Sequence, residues 1–447
     1  MKKIEMKVLD ANIRINNFNE VALGYSHEEA KNEASRCLNC PNPRCVKGCP
    51  VGIEIPKFIE AIKNDNIELA YEIIRNSTNL PAICGRVCPQ EKQCEAMCIK
   101  GFKGDAISIG SLERYVADNA KSSEKVEIIP NGKSVAIVGS GPSGLSCAGV
   151  LAKKGYKVTI YEALHKAGGV LTYGIPEFRL PNNIVEKEIN NLKKLGVEII
   201  LNAVVGSTIT IDELKNKYDA IYIASGAGLP KFMGIENEIA NEVFSANEIL
   251  TRINLMKAYE KNAKTPIKEG NIVFVVGGGN VAMDAARSLR RFGMEVHLIY
   301  RRSMNELPAR LAEVEHALEE GIIFDILKNP KKIVVDDDMH VLGMEVVDME
   351  LINDENCSRK NVKEKINSNQ FMKCDMVVMA LGTNPNPLAI SNSAIKKDDK
   401  SLIIVDGSKT SEEGIFAGGD AVTGSATVIL AMEAGKKAAL EIDEYLS

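Results

Sequence analysis

The chain has 447 residues, enough for two or three domains, and its 45% hydrophobic and 26% charged content supports ordinary globular cores. A net charge of −5 without a large basic block argues against nucleic acid as the main partner. No apolar run reaches the roughly eighteen residues of a membrane-spanning helix, and the charged opening MKKIEMKVLD is unlike an export signal, so no membrane role and a cytoplasmic location are expected.

In chain order, residues 27–36 read as a helix leading into cysteines. Eight of the eleven cysteines fall between Cys37 and Cys98, while Cys147, Cys357 and Cys374 stand apart. Clustered thiols in a reducing setting point to metal or redox chemistry before disulfides. Residues 37–50, CLNCPNPRCVKGCP, have the spacing C-x2-C-x4-C-x3-C-P, a bacterial ferredoxin run with two extra residues in its second gap. Residues 51–78 form a helical spacer whose apolar positions are Phe58, Ile59, Ile62, Ile67, Leu69 and Ile73. A second group follows, Cys84, Cys88, Cys94 and Cys98, and it repeats the C-x3-C-P ending at 84–89. Thiolates without histidine suit iron–sulfur clusters. Structural zinc would favour two C-x2-C knuckles, and only Cys37 and Cys40 have that spacing. A helix at 106–120 and a polar linker at 121–131 complete this part.

Residues 133–162 organise the rest. A buried strand at 135–138 runs into the G-x-G-x-x-G turn of Gly139, Gly141 and Gly144, with Pro142 and Ser143 between them. A helix to 154 and a strand at 157–160 follow, ending at Glu162. Strand, glycine turn, helix and an acid about twenty residues on make the dinucleotide fingerprint. Glycine admits a pyrophosphate close to the backbone, and the helix N-terminus offers free N–H groups. Glu162 would accept hydrogen bonds from a ribose. Beyond it, the Gly168, Gly169 to Pro181 loop, which includes Arg179, reads as a rigid cover over a cofactor. A helix at 182–195 and strands at 197–202 and 218–224 continue the unit.

Residues 271–302 repeat the pattern with Gly277, Gly278, Gly279, Asn280, Val281 and Ala282 at the turn, helix 281–292 and strand 295–299. With Gly277 laid on Gly139, Tyr300 falls opposite Glu162, followed by Arg301 and Arg302. The acid is gone and two guanidiniums stand beside its place, which suits a 2′-phosphate and so NADP(H). Residues 305–320 read as a loop and an acidic helix, 322–373 as a small antiparallel meander, and 374–380 as a buried strand. Near the end, a strand delivers Gly418, Gly419 and Asp420 to a turn, and a helix runs over 427–440 from Thr427. Asp420 would bond ribityl hydroxyls, and the helix N-terminus would face the flavin's pyrimidine end.

The set CLNCPNPRCVKGCP, ICGRVCPQEKQC, VAIVGSGPSGL, GGVLTYGIPEFRLP, VVGGGNVAMDAAR, YRR and AGGDAVTG resembles the small-subunit family of NADPH-dependent glutamate synthase over nearly the full length. The same module is similar to the large subunit of electron-bifurcating NADH-dependent ferredoxin:NADP⁺ oxidoreductase, to sulfide dehydrogenase and to half of dihydropyrimidine dehydrogenase. The resemblance implies an α/β protein with two Rossmann-like nucleotide-binding domains behind an α-helical domain holding two 4Fe–4S clusters. It implies an iron–sulfur domain at 1–125, an FAD domain at 126–260 and 375–447, and an NADPH domain inserted at 261–374. Cys37, Cys40, Cys45 and Cys98 would hold one cluster; Cys49, Cys88, Cys94 and an oxygen ligand, Glu113, the other, leaving Cys84 a non-ligand. Hydride transfer between bound cofactors needs no catalytic side chain. Expected partners are a glutamate synthase large subunit, or a small flavoprotein with ferredoxin, or a further copy of the chain. Two rivals make other expectations: a disulfide reductase would need a cysteine pair near the flavin, whereas Cys147 has no sequence neighbour, and a zinc-stabilised scaffold would be colourless.

Overall fold

A computed structural model describes residues 2–121, 128–265, 267, 270–352 and 360–447. Cys357, most of the expected linker at 121–131 and the 125/126 boundary lie outside the described residues.

The N-terminal part is helical, with helices His27–Ser35, Ile55–Lys63, Ile67–Arg75, Pro81–Val87 and Ile109–Asn119. The spacer expected as one helix is two. Asp65 has φ +56°, and Asn66 caps the second helix by accepting from the Leu69 N–H at 3.1 Å. That break resets the helical face, so Ala70, Tyr71 and Ile74 are buried while Leu69 is exposed.

Two five-stranded parallel sheets follow. The first has the order Ile415–Ala417, Ala220–Ile223, Ser134–Val138, Lys157–Tyr161, Glu198–Ile200. The second has the order Val243–Ser245, Met376–Met379, Ile272–Val276, Glu295–Tyr300, Ile323–Ile326. Their central strands are almost wholly buried, as expected when elements cover both faces of a parallel sheet. The expected meander is present as Lys328–Val335 and Val341–Ile352, the latter also pairing with Asn361–Glu364 and Gln370–Lys373. Its first expected strand, Ile323–Ile326, instead extends the parallel sheet.

Sheet membership also differs from the expected breaks at 260 and 375. Val243–Ser245 and Met376–Met379 both belong to the second sheet. A fully apolar strand such as MVVM carries no signal for which of two similar sheets receives it. The last helix, Val428–Leu446, runs longer than the expected 427–440 and packs along Pro142–Lys153. Gly435 permits that approach, because a Cβ there would stand 2.1 Å from the Ser143 carbonyl oxygen.

Candidate cofactor and cluster sites

The first sheet ends its central strand at Gly139, whose φ of +103° and 2.5 Å clearance between an added Cβ and the Ala224 carbonyl oxygen demand glycine. Gly144 closes the same turn, with a Cβ position 2.0 Å from the Gly139 oxygen. Gly141 caps helix Pro142–Lys153, and the space its Cβ would occupy is open. Pro142 sits at the first helical turn, where a missing N–H costs nothing, and the following amides remain free for a phosphate. Ser143 Oγ lies 2.6 Å from Tyr222 Oη. The buried Glu162 accepts from the Ser140 N–H at 3.0 Å and the Leu164 N–H at 2.8 Å, which fixes its carboxylate beside the turn. Gly169 (φ +54°) brings the cover loop so close that its Cβ would be 2.8 Å from Gly141 Cα.

Gly419 lies against Ser143, where an added Cβ would stand 2.9 Å from the Ser143 Cβ, and Asp420 follows it. Burial pushes the Asp420 carboxyl up to about 6; its one backbone bond, from the Ala426 N–H at 3.3 Å, pulls the other way. Thr427 caps the last helix by accepting from the Leu430 N–H. Tyr173, absent from the expected set, is also part of this site. Burial, then the charges of Glu162 and Asp420, push its phenol up to about 12. The only sequence signal for it was an aromatic residue within the glycine-bounded loop.

Arg179, in the cover loop, is engaged by two carboxylates of the second unit. Its Nη1 donates to Asp284 at 2.6 Å and its Nε lies 3.2 Å from Glu313. It therefore ties the cover loop to helix Asn280–Arg291 of the second unit. The ion network continues through Arg287, Arg291 and Arg14, which all meet Glu320 at 2.7–2.8 Å. Its members are scattered over three hundred residues, so sequence spacing held no trace of it.

In the second unit, Gly277 takes the part of Gly139, with φ +144° and an added Cβ 2.4 Å from the Ala380 oxygen. A Cβ on Gly278 would strike the Tyr300 ring at 2.7 Å, while Gly279 caps the helix facing open space. Asn280 Oδ1 accepts from the Arg310 N–H at 2.9 Å, so this side chain holds the neighbouring loop. Val281 is partly exposed on the first turn. Arg301 is exposed and makes no hydrogen bond or ion pair among the described residues. Arg302 Nε donates to the Lys360 carbonyl at 2.9 Å.

In the helical part, Cys37, Cys40, Cys45 and Cys98 line one cavity together with Met97, Ile107 and Ile109. Burial pushes the Cys45 thiol up to about 11. Cys49, Cys88 and Cys94 form the second group around Glu113, whose charge reaches all three. Burial pushes the Cys49 thiol up to about 11 and the Glu113 carboxyl up to about 8. Glu113 Oε1 has no hydrogen-bond partner among the described residues. Cys84 lies beside Cys88, with its sulfur 3.9 Å from Thr78 Oγ1 and 3.8 Å from Met432 Sδ.

These features fit iron–sulfur clusters. Thiols held protonated by burial become thiolates beside a metal's positive charge, and the orphaned Glu113 oxygen is the oxygen donor expected at the second group. Thiolates sharing one zinc would stand about 3.8 Å apart, set by Zn–S bonds of about 2.3 Å. Among the described residues no three His, Cys, Asp or Glu side chains converge on a single ion.

Two family models match the chain. One is described as dihydropyrimidine dehydrogenase domain II, 4Fe–4S cluster, over residues 14–125. The other is pyridine nucleotide-disulphide oxidoreductase, over residues 133–435. The glutamate synthase [NADPH] small chain of Escherichia coli is 34% identical, with 97% of this chain and 95% of that protein covered. The NADP(+)-dependent formate dehydrogenase subunit beta of Moorella thermoacetica is 40% identical over 90% of this chain, which spans only 60% of that relative's length. FprA of Mycobacterium tuberculosis in complex with NADPH shares the fold at a TM-score of 0.61 and 19% identity, covering 71% of this chain and 85% of its own.

Proposed function

Since this chain belongs to the pyridine nucleotide-disulphide oxidoreductase family that includes the glutamate synthase small chain, we propose that it carries electrons from NADPH to a partner subunit. It is an NADPH-dependent flavoprotein oxidoreductase whose cofactors are FAD, NADPH and 4Fe–4S clusters. The chemistry these groups supply when bound is hydride transfer from NADPH to flavin and one-electron transfer through the clusters.

The chain's own residues bind and orient. Gly139, Gly141 and Gly144, with the free amides after Pro142, receive the FAD pyrophosphate, and Glu162 receives its ribose. Tyr173 and Asp420 shield the buried side of that site. Gly278, Gly279 and the start of helix Asn280–Arg291 receive the NADPH pyrophosphate, with Arg301 and Arg302 on the 2′-phosphate. Cys37, Cys40, Cys45 and Cys98 hold one cluster; Cys49, Cys88, Cys94 and Glu113 hold the other. No side chain is assigned as an acid or base. We assign the iron–sulfur unit to 1–125, the FAD unit to 126–260 and 375–447 apart from strands Val243–Ser245 and Met376–Met379, and the NADPH unit to 261–374 together with those two strands, which pair in its sheet.

The observation that carries this reading is the union, in one chain, of two glycine-turn nucleotide units and a cavity lined by four cysteines. The ten described cysteines are all free thiols, which suits a cytoplasmic setting. Among the described residues no helix is long and apolar enough to cross a membrane.

Several of its relatives are small or beta subunits, and the docking face we assign surrounds the Cys37 cavity. Leu38 (60% exposed) and Phe102 (64% exposed) stand there, with Arg44 over the Phe102 ring at 5.5 Å and Lys47 and Lys103 nearby. An apolar centre with a basic rim calls for an acidic partner face. A glutamate synthase large subunit is the partner we adopt, because the glutamate synthase small chain is matched over 97% of this chain and 95% of its own length. Co-purification from native lysate tests this. A glutaminase-bearing subunit supports it, and a small flavoprotein with ferredoxin coupling favours bifurcation instead.

A further inference from the structure

The last helix does more than close the first sheet. It begins at Thr427 beside Asp420 and runs into the iron–sulfur part. From Thr427 to Lys436 is nine residues, about 13–14 Å along a helix. On the way, Met432 places its sulfur 3.8 Å from Cys84 Sγ, and its carbonyl accepts from Ser146 Oγ at 2.8 Å. One turn on, Lys436 Nζ donates to the Val51 carbonyl at 3.0 Å and to the Ser77 carbonyl at 3.3 Å. Val51 lies two residues beyond Cys49, and Ser77 precedes helix Pro81–Val87, which leads into Cys88. Against the larger upward push of burial, the backbone amides of Val51 and Ile53 draw the Cys49 thiol down. The half-buried ammonium is within electrostatic reach of that sulfur.

We propose that Lys436 is a positioning residue for the cluster held by Cys49, Cys88, Cys94 and Glu113, clamping the loop around Cys49 and, as a cation, raising that cluster's reduction potential. Reduction adds one negative charge to a cluster, and a nearby cation in a partly dry site stabilises the reduced form more than the oxidised form. The other cluster, at Cys37, Cys40, Cys45 and Cys98, lies in a separate cavity whose lining does not include Lys436. The same helix therefore both caps the flavin site and favours reduction of the cluster next to it. The inference rests on the cluster assignment proposed above.

The test is a redox titration of the full holoprotein, following each cluster by electron paramagnetic resonance. The second cluster's signal is identified as the one that moves in Glu113→Ala. Lys436→Gln removes the charge but keeps an N–H donor for the two carbonyls. It is expected to lower the reduction equilibrium constant of the second cluster about tenfold, about 59 mV for a one-electron couple, and to leave the first unchanged. Lys436→Arg is expected to restore the wild-type value. An unchanged second potential with full iron content, or equal shifts in both clusters, overturns the proposal. If the glutamine variant loses iron, the arginine variant decides: retained iron at the wild-type potential supports the proposal, and lost iron overturns it in favour of packing alone. Wild-type protein without acid-labile sulfide would instead refute the cluster reading itself.

Discussion

Replacing Arg301 with alanine is expected to turn the chain away from NADPH without weakening its hold on NADH. Arg301 is exposed at the end of strand Glu295–Tyr300 and has no hydrogen bond or ion pair among the described residues, so its donors are all available to a 2′-phosphate. A charge-assisted hydrogen bond contributes about 1.5–3 kcal/mol, and each 1.4 kcal/mol is about tenfold. The expected loss in kcat/KM for NADPH is therefore about 10–100-fold. Arg302→Ala should lose less, because Arg302 Nε is already engaged by the Lys360 carbonyl at 2.9 Å. The assay is anaerobic reduction of a one-electron dye by NADPH and by NADH, with kcat/KM measured for each. An equal fall for both coenzymes, or a wild-type preference for NADH, would refute the phosphate assignment.

Four further outcomes are expected. Glu113→Ala should shift one cluster's potential while iron stays near about eight per chain, two cubanes' worth; an unchanged titration would remove Glu113 as a ligand. Gly139→Ala forces a Cβ against the Ala224 oxygen at φ +103° and should yield protein lacking bound flavin, read from the visible spectrum. Gly277→Ala should keep the yellow colour and lose coenzyme affinity, and a simultaneous loss of flavin would contradict two separate sites. Glu320→Gln strips the buried Arg14, Arg287 and Arg291 of their shared carboxylate and should cost about 3–5 kcal/mol. Burial alone would raise the Glu320 carboxyl, but Arg287 and Arg291 outweigh it and hold it at about 2, against an ordinary value of 4.5. Its stabilisation is thus complete above about 4.5 and is lost as pH falls towards 2. Melting temperature against pH should show that acid limb in the wild type and a flatter one in the variant.

What could be read from the chain alone were its local repeating devices. Gly139 and Gly277, the helices behind them, Glu162 and the Arg301–Arg302 pair all lie within thirty-residue units whose chemistry is contiguous. The cysteine groups were legible for the same reason. Three things were not. Sheet membership of Met376–Met379 is set by long-range pairing with Ile272–Val276, which an apolar run does not encode. The ion pairs of Arg179 were not legible because its partners, Asp284 and Glu313, come from more than a hundred residues away. Tyr173 became a site residue only when folding brought it within electrostatic reach of Glu162 and Asp420. The break at Asp65 and Asn66 was visible as a capping residue but was outweighed by the apolar periodicity running through it.

The most direct measurement is an anaerobic NADPH titration of freshly purified protein, with flavin, iron and acid-labile sulfide quantified on the same sample. The account predicts one flavin and about eight iron atoms per chain, bleaching of the flavin absorbance by NADPH, and resonance signals from two reduced clusters. Colourless protein carrying stoichiometric zinc, or a flavoprotein whose iron stays oxidised however much NADPH is added, would contradict it.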